Sequence, residues 1–494
     1  MRHVSKRRLM LVVAALALAA CRRPESGTPA PAAALVQARR ADATPRRLPT
    51  IAAIDWAAFP RAVAEPRGRS GRVVRLRPGA PAVVARALES AAPGDTLLLE
   101  PGTYTEGMPG DYRGLVMDKE GLVLRAVGGR ARIVPAAGIK RGLMVEASQI
   151  TVQGLDLEGF KDAGVSLGKE GETLRQIVLT DISVKGGPDD GIVAYPDHRA
   201  SGKPVIDGML LRNVRVEGAA LGISCNGGPC RSWWLENVDV INASGSGSGA
   251  DTIGVESGEN FVLVNVTVTG AAADGIDIKA PRVLLQGCHV HHVRRNGIKL
   301  WRGGDIVNTV VHHSGADAAV VFNGPGRYRV LHSLVAYHNY NIENSYCLTA
   351  GVDVKEPLDV QLLNTIFHRT AGGLYLSAHT RAQIQGCLFH DMQNPTAIRR
   401  IVGGTEEELR YVELVAAIER AGIGSGNVAG KDPRFVDAER GDFRLLPGEG
   451  RGCGRAASPI PDGGRATPLA PETDFLGRRR AQGAAPDIGP FEWR

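Results

Sequence analysis

Residues 274–279 read DGIDIK, and the same pattern of six residues returns in the segments that follow. It returns as NGIKLW at 296–301 and as AAVVFN at 318–323, each copy 22 residues after the previous one. Further copies are AGVSLG (163–168), DGIVAY (190–195), LGISCN (221–226), IGVESG (253–258), NSYCLT (344–349) and GGLYLS (372–377). Such repeats predict a solenoid, in which stacked coils bury an apolar face that no single coil can bury.

A second type of strand separates these copies, with apolar and polar residues in alternation as in a half-buried strand. The segments are MLLRNVRV (209–216), WLENVDV (234–240), FVLVNVTV (261–268), VLLQGCHV (283–290), DIVNTVV (305–311), YRVLHSLV (328–335), DVQLLNTIF (359–367) and AQIQGCLF (382–389). Asn213, Asn237, Asn265 and Asn308 recur where we expect bends. Leucine-rich repeats are excluded because the Leu spacing differs and no helical segment recurs.

The two ends of the repeat region have their own patterns. Residues 81–107 predict a short amphipathic helix, a turn and a strand, which would cap the open apolar end of a solenoid. Residues 404–421 predict a helix, with Glu406 to Glu408 in its first turn, where the helix dipole favours acids. Its apolar stripe is predicted to be Leu409, Val412, Val415 and Ala416.

Residues 81–107 resemble the N-terminal cap of right-handed parallel β-helix proteins of the polysaccharide-lyase (pectin lyase-like) type. Residues 426–448 and 487–493 are similar to the closing segment of bacterial proteins in that superfamily. The resemblance implies an all-β fold, a single-stranded right-handed parallel β-helix of about ten coils. It places the β-helix at 71–403, and a helix with the C-terminal closing segment at 404–494.

The first 21 residues have a basic start followed by the apolar run 9–20, which is too short to span a bilayer and suits a signal peptide. The end of this segment, Leu-Ala-Ala-Cys21, resembles a bacterial lipobox, which implies removal of residues 1–20 and a lipid on Cys21. We expect residues 21–70 to hold this Cys and a flexible tether. The predicted location is the cell envelope, at the outer membrane because Arg22 rather than Asp follows Cys21. The alternative is an ordinary signal peptide.

The charge of the chain is concentrated at its start. Residues 1–50 carry a net charge of +8, so residues 51–494 carry −1 of the total of +7. A nearly neutral body gives no electrostatic basis for nucleic-acid binding. We expect a monomer that contacts the membrane only through the lipid on Cys21.

Cysteine usage suits an exported protein, in which disulfides persist. Cys225 and Cys230 flank a Gly-Gly-Pro turn and are the best local pair. The pairing of Cys288, Cys347, Cys387 and Cys453 stays open at this point.

Alignment of the copies on Gly254, Gly275 and Gly297 predicts which side chains face outward. One outward column is Ser224, Glu256, Asp277, Lys299 and Val321. A second column is Asn226, Gly258, Lys279, Trp301 and Asn323. Asp251, Asp274 and Arg302 lie at their edges, and coils stack about 4.8 Å apart. This is the densest cluster of ionisable residues in the repeat.

These residue types suit β-elimination on a uronate polysaccharide. The carboxylate next to the abstracted proton must be neutralised, by Ca²⁺ held on Asp or Glu oxygens or by Arg or Lys. The predicted metal ligands are Glu256, Asp274 and Asp277. The predicted base is Lys279 or Lys299, its pKa lowered by the other lysine and by Arg302.

Trp301 offers a face for stacking a sugar, and Asn226 and Asn323 are expected to bind substrate beside it. The segment 274–279 also resembles the calcium and catalytic region of pectate lyase family nine. That resemblance implies Asp ligands for calcium and a Lys base.

Two alternatives to the lyase remain at this point. Acids and lysines on adjacent coils also form purely structural salt-bridge ladders, which fits a non-catalytic glycan-binding surface protein. A glycoside hydrolase would use Glu256 and Asp277 as acid and base, about 4.8 Å apart on adjacent coils in a retaining geometry.

The histidines recur as well. His291, His312, His368 and His390 each follow the Gly or Asn of the second strand type by four residues. We expect stacked turn residues, with only His291 and His312 on adjacent coils because Ala336 interrupts the series. A metal or proton-transfer site is the alternative.

Overall fold

The computed structural model describes residues 71–194, 205–226, 228–245, 250–315, 318–339, 345–446, 460–462, 465–467, 471–480 and 487–492. The predicted signal peptide, Cys21, the tether and Cys453 lie outside these residues. Within them, neither of the two helices has the length and apolar content needed to cross a bilayer.

The six-residue pattern forms one long sheet with a strand from each coil. In the described residues, twelve of its strands run parallel, compared with about ten coils expected. These strands are Arg113–Met117, Arg141–Val145, Ala163–Leu167, Asp190–Ala194, Leu221–Cys225, Ile253–Val255, Ile276–Ile278, Ile298–Leu300, Ala318–Phe322, Tyr346–Ala350, Leu374–Leu376 and Thr396–Val402. A thirteenth strand, Thr405–Arg410, pairs antiparallel with the last of them.

The second strand type forms the other walls of each coil, in a sheet of 24 described strands. Its strands are Val73–Leu76, Thr96–Leu99, Gly102–Glu106, Val123–Ala126, Ala131–Pro135, Ile150–Gln153, Leu155–Glu158, Thr173–Thr180, Ser183–Lys185, Val205–Glu217, Cys230–Ile241, Gly258–Val264, Thr267–Thr269, Val283–Gln286, His289–Val293, Gly304–Val307, Val310–Ser314, Gly326–Leu331, Leu334–Ala336, Leu358–Leu363, Ile366–His368, Thr380–Gln385, Leu388–His390 and Val428–Ala429. Every inter-coil pairing in the two sheets is parallel apart from that of the thirteenth strand. The chain is therefore a parallel β-helix, as predicted.

The predicted asparagine bends are confirmed. Asn213, Asn237, Asn265 and Asn308 have φ between 52° and 54°, the left-handed region that Asn tolerates better than most residues. The Asn237 Nδ2 donates to Asn213 Oδ1 at 3.2 Å, and Asn265 Nδ2 donates to Asn237 Oδ1 at 3.3 Å. The amides thus form a ladder along the corner between the two walls.

Helix α1, Val83–Ser90, covers the N-terminal end of the core with Val84, Ala85 and Leu88. Its first turn has no side-chain cap of its own. The buried Glu106 carboxylate accepts hydrogen bonds from the backbone N–H of Val84 at 3.0 Å and of Ala85 at 2.9 Å. A negative charge at this end also suits the helix dipole.

The predicted helix over 404–421 is wrong in its first half. Thr405–Arg410 is a strand, Tyr411–Glu413 is a 3₁₀ turn, and helix α2 comprises only Leu414–Arg420. The three glutamates pair across the hairpin, as Arg399–Glu406 at 3.2 Å, Arg399–Glu408 at 3.0 Å and Arg400–Glu407 at 2.5 Å.

The apolar stripe of that helix also differs from the prediction. Val412 is 88% exposed, whereas Leu409, Leu414, Ala417 and Ile418 are buried in the main core. The hairpin and α2 therefore close the C-terminal end of the coil stack.

The chain that follows returns along one side of the stack. We call residues 435–446, 471–480 and 487–492 the flank segment, which includes the antiparallel strands Phe435–Asp437 and Asp442–Leu445. A further antiparallel hairpin joins Ile460–Asp462 to Arg465–Thr467. The flank segment places Phe435, Phe443, Phe475, Ile488 and Phe491 on the outer residues Val310, Leu334, Ala336, Ile366 and Leu388. Of the predicted closing segment, Val428–Ala429 thus pairs with the last coil at Leu388–Phe389, and the flank segment covers a side of the β-helix.

Candidate functional site

The strand register corrects the predicted columns. Gly254 pairs with Asp277, and Asp277 pairs with Lys299. Glu256 is therefore not in the column of Asp277, because the alignment on Gly254 was two residues out of register. Thr252 occupies the position that Gly takes in the other copies. Matching the inward pair Ile253 and Val255 to Ile276 and Ile278 would have shown this.

The corrected columns are simple. The first is Ser224, Gly254, Asp277, Lys299 and Val321. Two residues further along each strand, the same register gives a second column of Asn226, Glu256, Lys279, Trp301 and Asn323. Gly258, predicted for that column, instead begins a strand of the other sheet. Asn226 and Asn323 stand at the two ends of this row, both half-buried.

Three buried carboxylates meet at the start of these strands. Asp251 and Asp274 stack on adjacent coils by this register, and Asp277 lies beside them. Their ligand oxygens all lie within 4.8 Å of one another. They are 5%, 2% and 3% exposed, so we call them the carboxylate trio. Asp251 takes the place in this group that the sequence assigned to Glu256.

Gly254 explains how Asp251 reaches the trio. A Cβ at residue 254 would lie 3.2 Å from Asp251 Cβ and 3.5 Å from its Oδ2. The missing side chain thus leaves the space beside Asp277 that the Asp251 carboxylate occupies.

The neighbouring side chains hold the trio by hydrogen bonds and charge. The backbone N–H and Nδ2 of Asn296 donate to Asp274 Oδ1 at 2.9 and 3.0 Å. Trp301 Nε1 donates to Asp277 Oδ1 at 2.7 Å. Lys299 Nζ lies 3.5 Å from Asp277 and 3.9 Å from Asp274, and Arg295 Nε lies 3.7 Å from Asp274.

Burial opposes the ionisation of this cluster. It raises the pKa of Asp251 to about 7, with the charges of Asp277 and Asp274 adding to the effect. It also raises the pKa of Asp277, although Lys299 and the Trp301 hydrogen bond act in the opposite direction. Asp251 is therefore partly protonated near neutral pH.

Lys279 is engaged by the residue that stacks against it. Its Nζ donates to both carboxylate oxygens of Glu256, at 2.5 and 2.7 Å. Burial lowers the pKa of Lys279, but the Glu256 hydrogen bond and charge outweigh it and the net shift is upward. The expectation that neighbouring cations lower this pKa is wrong. Lys279 and Lys299 both lie over the Trp301 ring, 5.5 and 5.0 Å from its centroid.

Arg302 is placed differently from the other predicted residues. It follows Trp301 on an exposed turn and lines a groove with Arg282 and Arg327. Among the described residues, Lys299 and Arg295 are the cations paired with the trio.

The histidines form a larger cluster than the spacing predicted. His291 and His312 stack at 4.9 Å, and Ala336 interrupts the column as expected. His368 and His390 also stack, at 5.1 Å, so the prediction of a single adjacent pair is wrong.

His289, His292 and His313, which the repeat spacing missed, contact the first pair or one another. His289 also lies against Phe475 of the flank segment, whereas His292 is exposed. Burial lowers the pKa of His291 to about 3 and that of His313 to about 4. Across the residues that the structure describes, only the carboxylate trio brings three His, Cys, Asp or Glu ligand atoms close enough to share an ion.

A disulfide joins Cys225 to Cys230, with an S–S distance of 1.91 Å. It ties the strand Leu221–Cys225 to the start of Cys230–Ile241, one coil before the trio. Cys347 and Cys387 are buried thiols outside any disulfide, and Cys288 is buried as well.

No family model and no curated protein matches this chain. Among solved structures it is similar to the Dettilon tailspike protein, with 13% identity and a TM-score of 0.43 over 64% of this chain and 63% of that one. It is similar to pectate lyase Pel9A at 13% identity and a TM-score of 0.36, over 89% and 99% of the two chains. It is also similar to the A-module of the Azotobacter vinelandii mannuronan C-5 epimerase AlgE6. The identity is 13% and the TM-score 0.40, over 70% of this chain and 93% of that one. The chain thus spans less than two thirds of the tailspike, and likeness at 13% identity concerns the fold alone.

Proposed function

We propose that the protein acts on an acidic, uronate-containing polysaccharide by β-elimination at the carboxylate trio. The observation that carries this proposal is the meeting of three buried carboxylates with Lys299 and Trp301 on the outer wall of a β-helix. A buried acidic cluster with a lysine and an aromatic face in contact combines metal-ligand, base and sugar-binding groups in one place.

The trio fits Ca²⁺. Two oxygens that bind one Ca²⁺ at 2.3–2.6 Å lie at most about 5 Å apart, and the trio oxygens lie within 4.8 Å. Two further buried oxygens, Asn296 Oδ1 and Ser224 Oγ, have no hydrogen-bond partner in the described part of the chain. A bound Ca²⁺ would supply positive charge that neutralises the uronate carboxylate of the substrate.

Lys299 is the better of the two predicted bases. It lies beside the trio with 18% of its side chain exposed, whereas Glu256 holds Lys279 with both oxygens. Lys299 Nζ, once deprotonated, takes the proton on the carbon next to the uronate carboxylate. The electron pair of that C–H bond forms the new C=C bond, the C–O bond to the leaving sugar breaks, and the leaving oxygen takes up a proton.

The test is the ultraviolet absorbance of the unsaturated uronate product, with polygalacturonate, alginate and chondroitin sulfate as substrates. The full chain is assayed with calcium and with chelator, beside Lys299→Ala and Asp277→Asn. We expect each variant to lose activity by a factor of about 10² or more. Lys185→Ala, an exposed lysine on another wall, is the matched control. Activity that survives Lys299→Ala unchanged would exclude this site.

A second candidate function is non-catalytic glycan binding, and one observation favours it. Glu256 with Lys279 and Lys299 with Asp277 form ion pairs across adjacent coils, as a structural ladder would. This candidate predicts glycan binding with no unsaturated product from any acidic polysaccharide. The hydrolase alternative loses its geometric basis, because Glu256 and Asp277 are not directly stacked.

We also propose that the protein is exported and held at the outer membrane by a lipid on Cys21. The lipobox resemblance supports this, and the Cys225–Cys230 disulfide suits an oxidising compartment. Cell fractionation tests it. The wild type is expected with membranes, and Cys21→Ser in the soluble fraction. Ser26→Ala is the control, and a membrane-bound Cys21→Ser protein would contradict the proposal.

A further inference from the structure

A groove of about 190 Å³ begins at the residue after Trp301. Arg282, Arg302 and Arg327 line it together with Gly303 and Gly304. All three arginines are exposed and come from three consecutive coils.

Coil stacking creates the gap between the arginines. The pairings Leu284–Asp305 and Gly304–Tyr328 place residues 282, 303 and 327 in one column. Gly303 is the middle member, so Arg282 and Arg327 stand two coils apart, about 9.6 Å, with no side chain between them. A Cβ at residue 303 would lie 2.8 Å from the backbone oxygen of Arg327. Close stacking therefore keeps the floor of the groove free of side chains.

The acids near the groove do not cancel its charge. Asp305 lines it, but the Asp305 carboxylate is buried and binds Arg329 at 2.8 and 2.6 Å. Glu259 pairs with Arg282 at 3.0 Å. Asp359 follows Arg327 in the strand register and pairs with Arg381 at 2.6 Å. The four arginines Arg282, Arg302, Arg327 and Arg381 outnumber the two acids Glu259 and Asp359, so this surface carries excess positive charge.

The groove also continues the candidate site. Trp301 binds Asp277 of the trio through Nε1, and Arg302 is its chain neighbour. Lys279 and Lys299 lie over the Trp301 ring. The three arginines therefore adjoin the candidate site beyond Trp301, whereas Lys279 and Lys299 pair with Glu256 and with Asp277 of the trio.

We propose that this groove is an anion subsite, which binds an oxyanion of an acidic sugar unit away from the reacting bond. The substrate class rests on the proposed function, but the subsite can be tested without catalysis. Guanidinium groups bind carboxylate and sulfate oxygens in pairs of parallel hydrogen bonds, so both are the ligand chemistry of the groove.

The test measures the affinity of oligogalacturonate and of chondroitin sulfate oligosaccharide by calorimetry, at two salt concentrations. The full chain is compared with the double variant Arg302→Gln/Arg327→Gln. We expect the double variant to bind about tenfold or more weakly, with a shallower salt dependence. The first ligand reports carboxylate binding alone, and a loss seen only with the second assigns the groove to sulfate.

Arg132→Gln is the matched control, because Arg132 is an exposed, ion-paired arginine on another wall. Thermal unfolding of each variant shows that folding is retained. Unchanged affinity of the double variant for both ligands overturns the subsite, as does a wild type that binds neither.

Asp277→Asn separates the two proposals. If it abolishes the unsaturated product but the arginine effect on binding persists, both proposals stand. If the wild type makes no product while the double variant still loses affinity, the subsite stands and the lyase proposal fails.

Discussion

Gly254 and Asp251 show how one missing side chain arranges a group of charges. The strand register would place a side chain from residue 254 next to Asp277. Because Gly254 has none, the Asp251 carboxylate from three residues earlier fills that place. Three acids thus meet where the regular pattern would bring two, and the protein bears the unfavourable ionisation of Asp251.

The unfavourable ionisation of Asp251 predicts an unusual dependence of the protein's stability on pH. The pKa of Asp251 is about 7 in the folded protein and ordinary, near 3.8, in the unfolded chain. Between these values the folded state binds more protons, so the Asp251 contribution falls as pH rises from 4 to 7. In chelator at pH 8 we expect Asp251→Asn to melt at a higher temperature than the wild type, by about a few degrees. The exposed Asp359→Asn is the control, and equal melting of the wild type and Asp251→Asn would contradict the assignment.

Bound calcium is expected to offset the loss of stability that ionised Asp251 causes at high pH. A cation that binds only the folded protein raises the melting temperature, and it must displace the Asp251 proton at low pH. Millimolar Ca²⁺ should therefore raise the melting temperature by several degrees at pH 8 and by less at pH 5. Asp277→Asn should remove the response. A wild type that is indifferent to calcium at pH 8 would remove the metal from the proposed mechanism.

The asparagine ladder is the feature of the strands that most directly reflects their sequence. Asn213, Asn237 and Asn265 each sit at a corner where the backbone has a positive φ, and their amides bond to one another from coil to coil. The ladder therefore fixes the bend and the stacking of the walls at once. At other corners Gly or His takes the same conformation, as Gly287 and His332 do.

Asn237 is the ladder member with amide bonds on both sides. Asn237→Ala loses both bonds and places Ala in the left-handed region, which costs about 1–3 kcal/mol. We expect a lower midpoint in urea unfolding. Asn237→Gly loses the amide bonds but still suits the left-handed backbone. Its urea midpoint should therefore lie between those of the wild type and of Asn237→Ala. A glycine variant no better than the alanine variant would show that the amides, and not the conformation, stabilise the corner.

The repeat predicted the strands, the inward residues and the Asp277–Lys299 contact, because each of these follows from local alternation. It misplaced Glu256 because Thr252 stands where the other copies have Gly. An alignment anchored on Gly therefore chose Gly254 instead, two residues away. The pattern over 404–421 was misread because Thr405–Arg410 pairs as a strand with Thr396–Val402, and such tertiary pairing overrides local helix propensity. The trio was missed because it depends on the space above Gly254.

For the molecule as a whole, the main surprise is the flank segment. It buries a cluster of histidines between the coil wall and the rings of Phe443 and Phe475. Arg480, 2% exposed in its side chain, donates to Asn308 Oδ1 at 2.8 Å and pairs with Glu492 at 3.5 Å. These contacts join residues that are far apart in the chain, so no local pattern could have predicted them.

The histidines predict that acid weakens the molecule. Burial lowers the pKa values of His291, His313 and His368 to about 3, 4 and 4, below the usual 6.5. The unfolded state then binds more protons between these values, so stability falls as pH drops from 6.5 towards 4. Three histidines outweigh the opposite effect of Asp251. Limited proteolysis should cut the flank segment faster at pH 4.5 than at pH 7, and an equal rate would contradict this.

The position of the flank segment in the sequence means that it is synthesised after the coils that it covers. Arg480 is translated 172 residues after Asn308, the residue it binds. At about 5–20 residues per second, the coils around Asn308 wait roughly 10 to 30 s for their cover. Coils can stack as they emerge, yet during that interval a strip of Val310, Leu334 and Ile366 faces solvent. Any product that stops before residue 435 would lack all of the flank segment and keep this strip open, and would be a ready target for chaperones, proteases and aggregation.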